Sequence, residues 1–390
     1  MPMKTLVDHL SQLIAIPSIS SANPSLDTSN RPVIDWLANQ LSELGFSIEI
    51  QTVTKAIDNQ KAGKFNLIAT LGTGPGGLVL AGHTDTVPFD EQQWQSNPFQ
   101  LLDDNHRFYG LGSTDMKGFF ALVIEAITNI QHQLGNQQLQ QPLIILATAD
   151  EETSMAGAKA LAVAGKPKAR YAVVGEPTDL KPVRMHKGVM MESITLEGRS
   201  GHSSNPALGN NALDAMHKVI SALIALRKQW GKQYQNPAFD VIVPTLNLAS
   251  IHGGDAPNRI CSHCSLSFDV RLLPGMNNDE VRQSIHQTVA QVLAGTGVNA
   301  KHQALFVGVA PFLEPETSEL VRFSEQLTGH SAISAGFATE APFLQALGMQ
   351  TLVMGPGSID CAHQANEYLA HDQIKPGVDL LKSLIQRYCL

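Results

Sequence analysis

The sequence predicts an α/β protein in which helices cover both faces of a sheet and an inserted α+β lobe interrupts the chain. Helical segments and short apolar runs alternate up to residue 174, and the same pattern returns near Glu316. From about Pro182, apolar and polar residues alternate within the strands, which is typical of a sheet with one exposed face. At about 150 residues per domain, 390 residues are enough for two domains.

The first predicted element is a helix, because Leu6, Leu10 and Leu13 recur at helical spacing with polar residues between them. This spacing differs from the continuous apolar stretch of a signal peptide. The next elements are predicted, in order, as a helix at 31–44, strands at 47–53, 66–71 and 78–81, a helix at 118–131, a strand at 142–147, a helix at 155–164 and a strand at 171–174. Because the last two strands are apolar throughout, we expect helices on both faces of their sheet.

The middle of the chain predicts the separate lobe. Its alternating strands include 191–196 and 261–272, and its helices lie at 212–229 and 278–293. After the lobe we expect a helix that ends at Leu327, a helix at 341–347, a strand at 351–354 and a C-terminal helix. The prediction is therefore a discontinuous larger domain at 1–182 and 294–390, with an inserted domain at 183–293.

Charge and composition exclude several classes of partner. Lys and Arg number 27 against 35 for Asp and Glu, so a net charge of −8 provides no basic field for nucleic acid or an anionic membrane. No apolar run approaches the about 20 residues of a membrane-spanning helix. Four cysteines are too few for a disulfide framework and fit a reducing compartment. We therefore expect a soluble, cytoplasmic protein.

Two motifs suggest ligands that their context disfavours. Gly72, Gly74 and Gly77 match the G-x-G-x-x-G spacing of dinucleotide-binding loops, but the following residues predict a strand instead of the required helix. We interpret these glycines as a turn between two strands. Cys261 and Cys264 form a C-x-x-C pair, yet a structural zinc site needs a second pair of ligands nearby. We interpret both as strand cysteines.

Candidate chemical groups begin after the third predicted strand. His83 and Asp85 are two residues apart, which puts them on the same face of an extended chain. A metal-ligating imidazole usually donates its other N–H to a carboxylate, so His83 suits a metal ligand and Asp85 a supporting residue behind it. A hydrogen-bonded pair in a turn is the alternative for so short a motif.

Similar groups follow the later strands. Asp115 lies between a glycine-rich loop and a helix, where it is either a helix N-cap or a ligand. Glu151 and Glu152 follow an apolar strand, either as a solvated acidic turn or as groups with separate roles, because adjacent side chains point in different directions. Two further candidates follow later strands, Glu176 and His363.

The convergence of these groups is more informative than any one of them. The carboxyl ends of the strands in an open α/β sheet face the ligand-binding edge, so we expect these side chains to gather there. Carboxylates placed together repel one another unless a cation compensates their charge. Two imidazoles and three carboxylates suit a pair of zinc ions, for which cobalt or manganese could substitute. A carboxylate bridging two metals about 3.5–4 Å apart would create a hydrolytic site.

These segments resemble the M20 family of metallo-aminoacylases and peptidases over nearly the whole chain. The motifs that carry the resemblance are GHTDTVPFD, YGLGSTDMKGFFA, LATADEETSMAGA, VGEPTDLKPVRMHKG, GHSSNPALGNNALD, PTLNLASIHGGDAPNRIC, ATEAPF and GPGSIDCAHQANEY. The resemblance implies a zinc-peptidase-like catalytic domain with a mixed, largely parallel sheet. It also implies two zinc ions bridged by Asp115, with Glu151 as the general base. The other ligands that it implies are His83 and Glu176 for one zinc, and Glu152 and His363 for the other.

The resemblance further implies a homodimer whose interface is formed by an inserted lobe. This lobe matches the α+β pattern predicted at 183–293. His202, in the segment GRSGHSSNP, would then stabilise the oxyanion by reaching the active site of the neighbouring subunit. A loop histidine bonded to Ser203 or Ser204 is the alternative.

The implied activity is that of a metal-dependent amidohydrolase acting on linear amides. We expect hydrolysis of N2-acetyl-L-ornithine to ornithine and acetate, a step of arginine biosynthesis. The alternatives are a related deacylase or dipeptidase, such as one acting on succinyl-diaminopimelate, or a noncatalytic metal-binding relative, which would be expected to lack Glu151.

Substrate recognition requires charges of both signs. Arg271 and Asn258 are candidates for holding the α-carboxylate, because a guanidinium binds a carboxylate through two hydrogen bonds, although either residue could be structural. The protonated side-chain amine of ornithine requires an anion. Glu340, in ATEAPF, is the candidate outside the metal-binding set.

Overall fold

The computed structural model describes residues 3–54, 63–135 and 137–390. The chain forms two compact units. Unit 1 comprises Met1–Arg184, Glu314–Ile333 and Thr339–Leu390, and unit 2 comprises Met185–Leu313 and Ser334–Ala338. Unit 2 extends beyond the expected boundary at residue 293, because the strand that follows this residue pairs with the sheet of unit 2.

Unit 1 begins with helices α1 (Met3–Ala15) and α2 (Arg31–Glu43) and strands β1 (Ser47–Thr54), β2 (Lys64–Leu71) and β3 (Leu78–His83). It continues with β4 (Leu102–Asp104), β5 (Arg107–Tyr109), α3 (Lys117–Leu134), β6 (Leu143–Thr148), α4 (Ala156–Ala164), β7 (Tyr171–Pro177) and β8 (Val183–His186). The division between the units falls within β8.

Unit 2 contains β9 (Gly188–Glu197), α5 (Ala212–Gln233), β10 (Thr245–Gly253), β11 (His263–Leu272), α6 (Asn278–Leu293), β12 (Asn299–Val309) and β13 (Phe312–Leu313). The remaining elements are α7 (Glu319–Thr328), β14 (Ile333–Ala335), α8 (Ala341–Ala346), β15 (Gln350–Gly355), β16 (Tyr368–Ala370) and α9 (His371–Cys389).

The main sheet of unit 1 is mixed, with a parallel centre. Its strand order is β1-β2-β6-β3-β7-β15-β8. The four central strands, β6, β3, β7 and β15, are parallel, and antiparallel strands flank them on both sides. Every residue of β3, β6 and β7 is buried, so helices cover both faces. The predicted α/β fold with a mixed sheet is confirmed.

Helix α3 is the central helix of the larger core. It packs against both α1 and α9, and its buried residues include Phe119 and Phe120. A Cβ atom at Gly175 would lie 2.3 Å from the Phe119 ring, and one at Gly82 would lie 3.3 Å from it. These glycines therefore let α3 lie close to the ends of β7 and β3. No helix in the described part of the chain, α3 included, is long and apolar enough to cross a membrane.

Unit 2 is the α+β lobe. Its four-stranded antiparallel sheet has the order β10-β11-β9-β12, and α5 and α6 pack on it. Strand β11 alternates between buried residues and more exposed ones, as expected when helices cover one face. Asn211 and Asn277 cap α5 and α6 by accepting backbone N–H groups with their side chains.

The structure also shows the conformation of the glycine-rich motif and the position of the C-x-x-C pair. Gly72, Gly74 and Gly77 all have positive φ angles, and β3 begins directly after them, so the prediction of a turn between strands is confirmed. Cys261 and Cys264 are buried free thiols. Cys264 lies within β11, whereas Cys261 precedes this strand, so the prediction of a strand residue is wrong for Cys261.

Candidate active site

The candidate residues of unit 1 gather at one edge of the parallel sheet. His83 is the last residue of β3, and Glu176 lies near the end of β7. Glu152 follows β6, and His363 follows β15. Because these four strands are parallel and adjacent, their carboxyl ends meet at the same edge.

Asp115 lies between two imidazoles. Its Oδ1 is 2.8 Å from Nε2 of His83, and its Oδ2 is 3.3 Å from Nε2 of His363. His363 Nε2 is also 2.9 Å from Oε1 of Glu152. The two oxygens of one carboxylate thus face two different imidazoles, which is the arrangement that a bridging ligand requires.

Two overlapping groups of side chains can each hold a metal ion. Within the part of the chain that the structure describes, the ligand atoms of each group lie within 4.8 Å of one another. The groups are His83, Asp115 and Glu152, and His83, Glu151 and Glu176. Glu151, predicted as the base, therefore lies among the predicted ligands. Cys261 and Cys264 belong to neither group.

Burial and mutual repulsion govern the ionisation of this cluster. Burial, with the charge of Glu176 next in size, raises the pKa of Glu151 well above its usual value. Burial likewise raises the pKa of Glu176 and of Glu152. Hydrogen bonds to Asp115 and Glu152 raise the pKa of His363 to about 10. Ionising all of these carboxylates together therefore requires added positive charge.

The donor atoms fit a divalent metal ion. Glu176 is 5% exposed, and its Oε1 has no hydrogen-bond partner in the described structure. An acceptor buried without a partner carries a free-energy cost that coordination to a cation would remove. Imidazole nitrogens combined with carboxylate oxygens are the ligands typical of catalytic zinc sites.

Asp85 has a different contact from the one predicted. Nδ1 of His83 donates to the backbone carbonyl of Asp85 at 2.9 Å, whereas the nearest Asp85 carboxylate oxygen is 3.9 Å away. The carboxylate instead accepts the backbone N–H groups of Glu151 and Glu152, at 3.2 and 3.1 Å. The predicted carboxylate–imidazole hydrogen bond is therefore wrong, because these N–H groups occupy the carboxylate. Asp85 supports the acidic turn instead.

Lys64 is a supporting residue that the motifs did not identify. Its Nζ is 3.0 Å from Oδ1 of Asp150 and 2.8 Å from Oδ1 of Asp27, and its side chain is 3% exposed. Ser20 also donates to Asp150. These contacts hold the turn that precedes Glu151. Because they join residues more than 30 positions apart, no local sequence signal could have revealed them.

Glu340 is buried in unit 1. It is 1% exposed. Burial raises the pKa of Glu340 to about 7, and its Oε1 has no hydrogen-bond partner among the described residues. An acceptor of this kind is suited to a cationic group.

His202 and Asn258 lie close together in unit 2. His202 is exposed, and its Nδ1 accepts hydrogen bonds from the hydroxyl and the backbone N–H of Ser204. The proton of the neutral ring is therefore on Nε2, which can donate. Ser203 N–H donates to the backbone carbonyl of Asn258 at 3.2 Å. The contact with Ser204 is the one expected for a loop histidine, and it also orients the ring.

Arg271 lines a cavity of about 300 Å³ within unit 2. Its Nε donates to Asp269 at 3.1 Å, and its side chain is 34% exposed. Lys187 lines the same cavity and donates to the carbonyls of Val241 and Val243. Two basic side chains and one acidic residue, Asp240, therefore line this cavity.

A second cavity opens beside His363 in unit 1. It has a volume of about 540 Å³, and its lining includes Phe89, Asp90 and Trp94. This space is large enough for a small-molecule ligand at the metal-binding edge.

Known proteins resemble this chain over its full length. Residues 79–387 match the family described as peptidase family M20/M25/M40. The acetylornithine deacetylase of Proteus mirabilis (strain HI4320) is 46% identical over 388 residues, covering 100% of this chain and 98% of that protein. The acetylornithine deacetylase of Vibrio cholerae serotype O1 (strain ATCC 39541) is 44% identical over 389 residues and covers 100% of both chains.

Solved structures share the fold at lower identity. A tripeptidase from Staphylococcus aureus has a TM-score of 0.74 at 17% identity, covering 99% of each chain. An M20 family metallo-carboxypeptidase from Sulfolobus solfataricus has a TM-score of 0.74 at 17% identity, covering 98% of each chain. The family match, the full-length relatives and the shared fold show that the chain belongs to peptidase family M20/M25/M40, a family of metal-dependent hydrolases.

Proposed function

We propose that the protein hydrolyses the acetyl amide of N2-acetyl-L-ornithine to L-ornithine and acetate, as a cytoplasmic homodimer in arginine biosynthesis. The observation that carries the proposal is 46% identity to the acetylornithine deacetylase of Proteus mirabilis over 100% of this chain. The cluster of imidazoles and carboxylates at the sheet edge supports the reaction class, because its side chains could hold a metal ion and include the proposed base, Glu151.

The proposed cofactors are two Zn²⁺ ions, for which Co²⁺ may be exchanged. His83 and Glu176 would hold one ion, Glu152 and His363 the other, and Asp115 would contact both. When bound, zinc polarises the amide carbonyl and lowers the pKa of the attacking water. The contacts of Asp115 with both imidazoles support its assignment as the bridge.

Glu151 is the proposed general base. It would accept a proton from the attacking water and later give it to the leaving nitrogen. Burial, with the charge of Glu176 next in size, raises the pKa of its carboxyl group, which makes the carboxylate a stronger base. Asp85 assists by accepting the backbone N–H of Glu151, which fixes the start of the acidic turn.

His202 is the proposed donor to the oxyanion, acting in the active site of the neighbouring subunit. The hydrogen bonds from Ser204 to Nδ1 support this role, because they leave Nε2–H as the donor. The loop around Asn258 would be brought to the substrate with it, since the two loops are hydrogen-bonded to each other.

The charged ends of the substrate would be held by residues of opposite charge. Arg271 and Asn258 are the proposed partners of the α-carboxylate, and the cavity that Arg271 shares with a second basic residue, Lys187, supports the first assignment. Glu340 is the proposed partner of the side-chain ammonium. Its unpartnered buried Oε1 supports this role, because an ammonium would satisfy it.

A substrate comparison tests the proposal. The zinc-loaded protein should release ornithine from N2-acetylornithine at a higher kcat/KM than it cleaves succinyl-diaminopimelate or a dipeptide. Glu151→Gln protein prepared in the same way is the control for contaminating hydrolases. A higher kcat/KM for either competitor would show that the competitor, and not N2-acetylornithine, is the preferred substrate. The proposed reaction class, amide hydrolysis, would stand.

A further inference from the structure

The carboxylate of Glu367 lies beneath the loop that carries Asp115. Glu367 is 2% exposed, and its Oε1 accepts the backbone N–H groups of Thr114 at 2.8 Å and Asp115 at 2.9 Å. Its Oε2 accepts the N–H of Gly112 at 3.0 Å. A single buried side chain therefore satisfies three backbone donors of one loop. Hydrogen bonds to a carboxylate are stronger than those between neutral groups.

Glu367 also joins the two segments that carry candidate ligands. It follows His363 by four residues, and its backbone carbonyl accepts the N–H of Gly110 at 3.0 Å. The hydroxyl of Thr114 donates to the carbonyl of Tyr368. These contacts cross more than 250 positions of sequence and bring the segment of His363 to the loop of Asp115. The relative placement of the two ligands therefore depends on them.

The carboxylate form of the side chain is necessary for this set of contacts. Both oxygens of a carboxylate accept, whereas a glutamine amide has one accepting oxygen and one donating nitrogen. In a glutamine at position 367, the amide nitrogen would face the N–H of either Gly112 or the Thr114–Asp115 pair. At least one buried backbone donor would then lose its acceptor, and the loop would have to move.

We propose that Glu367 is a positioning residue that presets the Asp115 loop, so that both oxygens of Asp115 face the metal ions before they bind. Among the described residues, Glu367 belongs to neither group of possible metal ligands, so it would contribute to metal affinity through the backbone of the loop. This inference rests on the metal site of the proposed function. Partners behind a metal ligand commonly contribute about 10–100-fold in metal affinity.

The role is tested by comparing the zinc affinities of the wild type and of variants whose thermal stabilities are similar. Glu367→Gln should weaken zinc binding by about 10–100-fold, measured by competition with a chromophoric chelator. Glu314→Gln is the matched control, because Glu314 is also buried in unit 1 and accepts the N–H of Thr351 at 3.1 Å, away from the ligands. The control should bind zinc like the wild type. Thermal unfolding of both metal-free variants reports any general loss of stability.

The outcomes separate the two proposals. Failure of the wild type to bind zinc would contradict the proposed metal site itself. Tight binding by the wild type together with unchanged affinity in folded Glu367→Gln would overturn the positioning role. An equal loss of zinc affinity in Glu314→Gln would also overturn it, because the effect would then come from general destabilisation.

Hydrogen exchange provides a second measurement if Glu367→Gln does not fold. In the metal-free wild type, the amides of Gly112, Thr114 and Asp115 should be protected, because the carboxylate holds them without metal. Peptides covering residues 110–118 report this protection, and the same peptides in the chemically unfolded protein supply the unprotected reference. Exchange of the three amides as fast as in the unfolded protein, with protection only after zinc is added, would contradict a preset loop.

Discussion

The candidate residues of units 1 and 2 are held in different ways. In unit 1 the acidic turn and the Asp115 loop are fixed by buried carboxylates, Asp85 and Glu367, through bonds that span 66 or more positions of sequence. In unit 2 the exposed side chain of His202 is bonded to Ser204, two residues away. The fold of unit 1 itself therefore presets its chemical groups, whereas a local turn orients the histidine of unit 2.

Because of this difference, substitutions in the two units should cause different defects. Changes to the preset groups of unit 1 should alter metal binding, proton transfer or both. A change to His202 should lower turnover while the protein retains its metal. Measuring metal content beside activity therefore tests the comparison at every step.

Metal removal should have the largest effect, because the carboxylates of unit 1 need a cation to ionise together. We expect chelation to reduce turnover to the background rate, and zinc or cobalt to restore it. Circular dichroism before and after chelation checks that the protein stays folded. Full activity in protein verified to be metal-free would contradict the two-zinc proposal.

Replacing the two adjacent glutamates should give distinct defects. Glu151→Gln should lower kcat by at least about 100-fold and keep both metals, because it removes the proposed base. Glu152→Gln should also lose metal, because its carboxylate contacts His363. Metal analysis of both purified variants makes the comparison. If Glu151→Gln lost metal and Glu152→Gln kept it, the two roles would have to be exchanged.

A mixed dimer tests whether His202 acts between subunits. His202→Ala alone should lower kcat by about 100-fold, the effect of losing one oxyanion donor, with unchanged metal content. A heterodimer of His202→Ala and Glu151→Gln chains would contain one site with both groups intact. It should recover up to about half of the wild-type activity. Heterodimers verified by mass that remain as inactive as their parents would place His202 in its own subunit or make it structural.

The sequence predicted the sheet and its edge because both depend on local patterns. Continuous apolar runs predict the buried strands β6 and β7, and the polar groups that follow them meet because adjacent parallel strands end at one edge. Strands β10 and β12 lie at the two edges of the sheet in unit 2 and are mostly exposed. They therefore lack the regular alternation of buried and exposed residues by which a strand is predicted from sequence.

The supporting contacts of the site could not be predicted in this way. The carboxylate of Asp85 was expected to face His83, yet two backbone N–H groups compete for it in the folded chain. Lys64 and Glu367 act through pairings that exist only after distant segments meet. Periodicity identifies which side chains reach the edge of the sheet, whereas the contacts that hold them depend on tertiary structure.

The smallest expected effect concerns substrate selectivity at Glu340. Its buried Oε1 lacks a hydrogen-bond partner among the described residues. An ammonium bound there should therefore improve the binding free energy only of substrates with a cationic side chain. Glu340→Gln should lower kcat/KM for N2-acetylornithine by about 10-fold more than for an N-acetyl amino acid with a neutral side chain of similar length, which corresponds to about 1.4 kcal/mol. Glu314→Gln, a buried glutamate that contacts none of the candidate ligands, controls for general effects of removing a buried charge. Equal losses for the two substrates in Glu340→Gln would assign the residue to support of the metal site and leave amine recognition to another group.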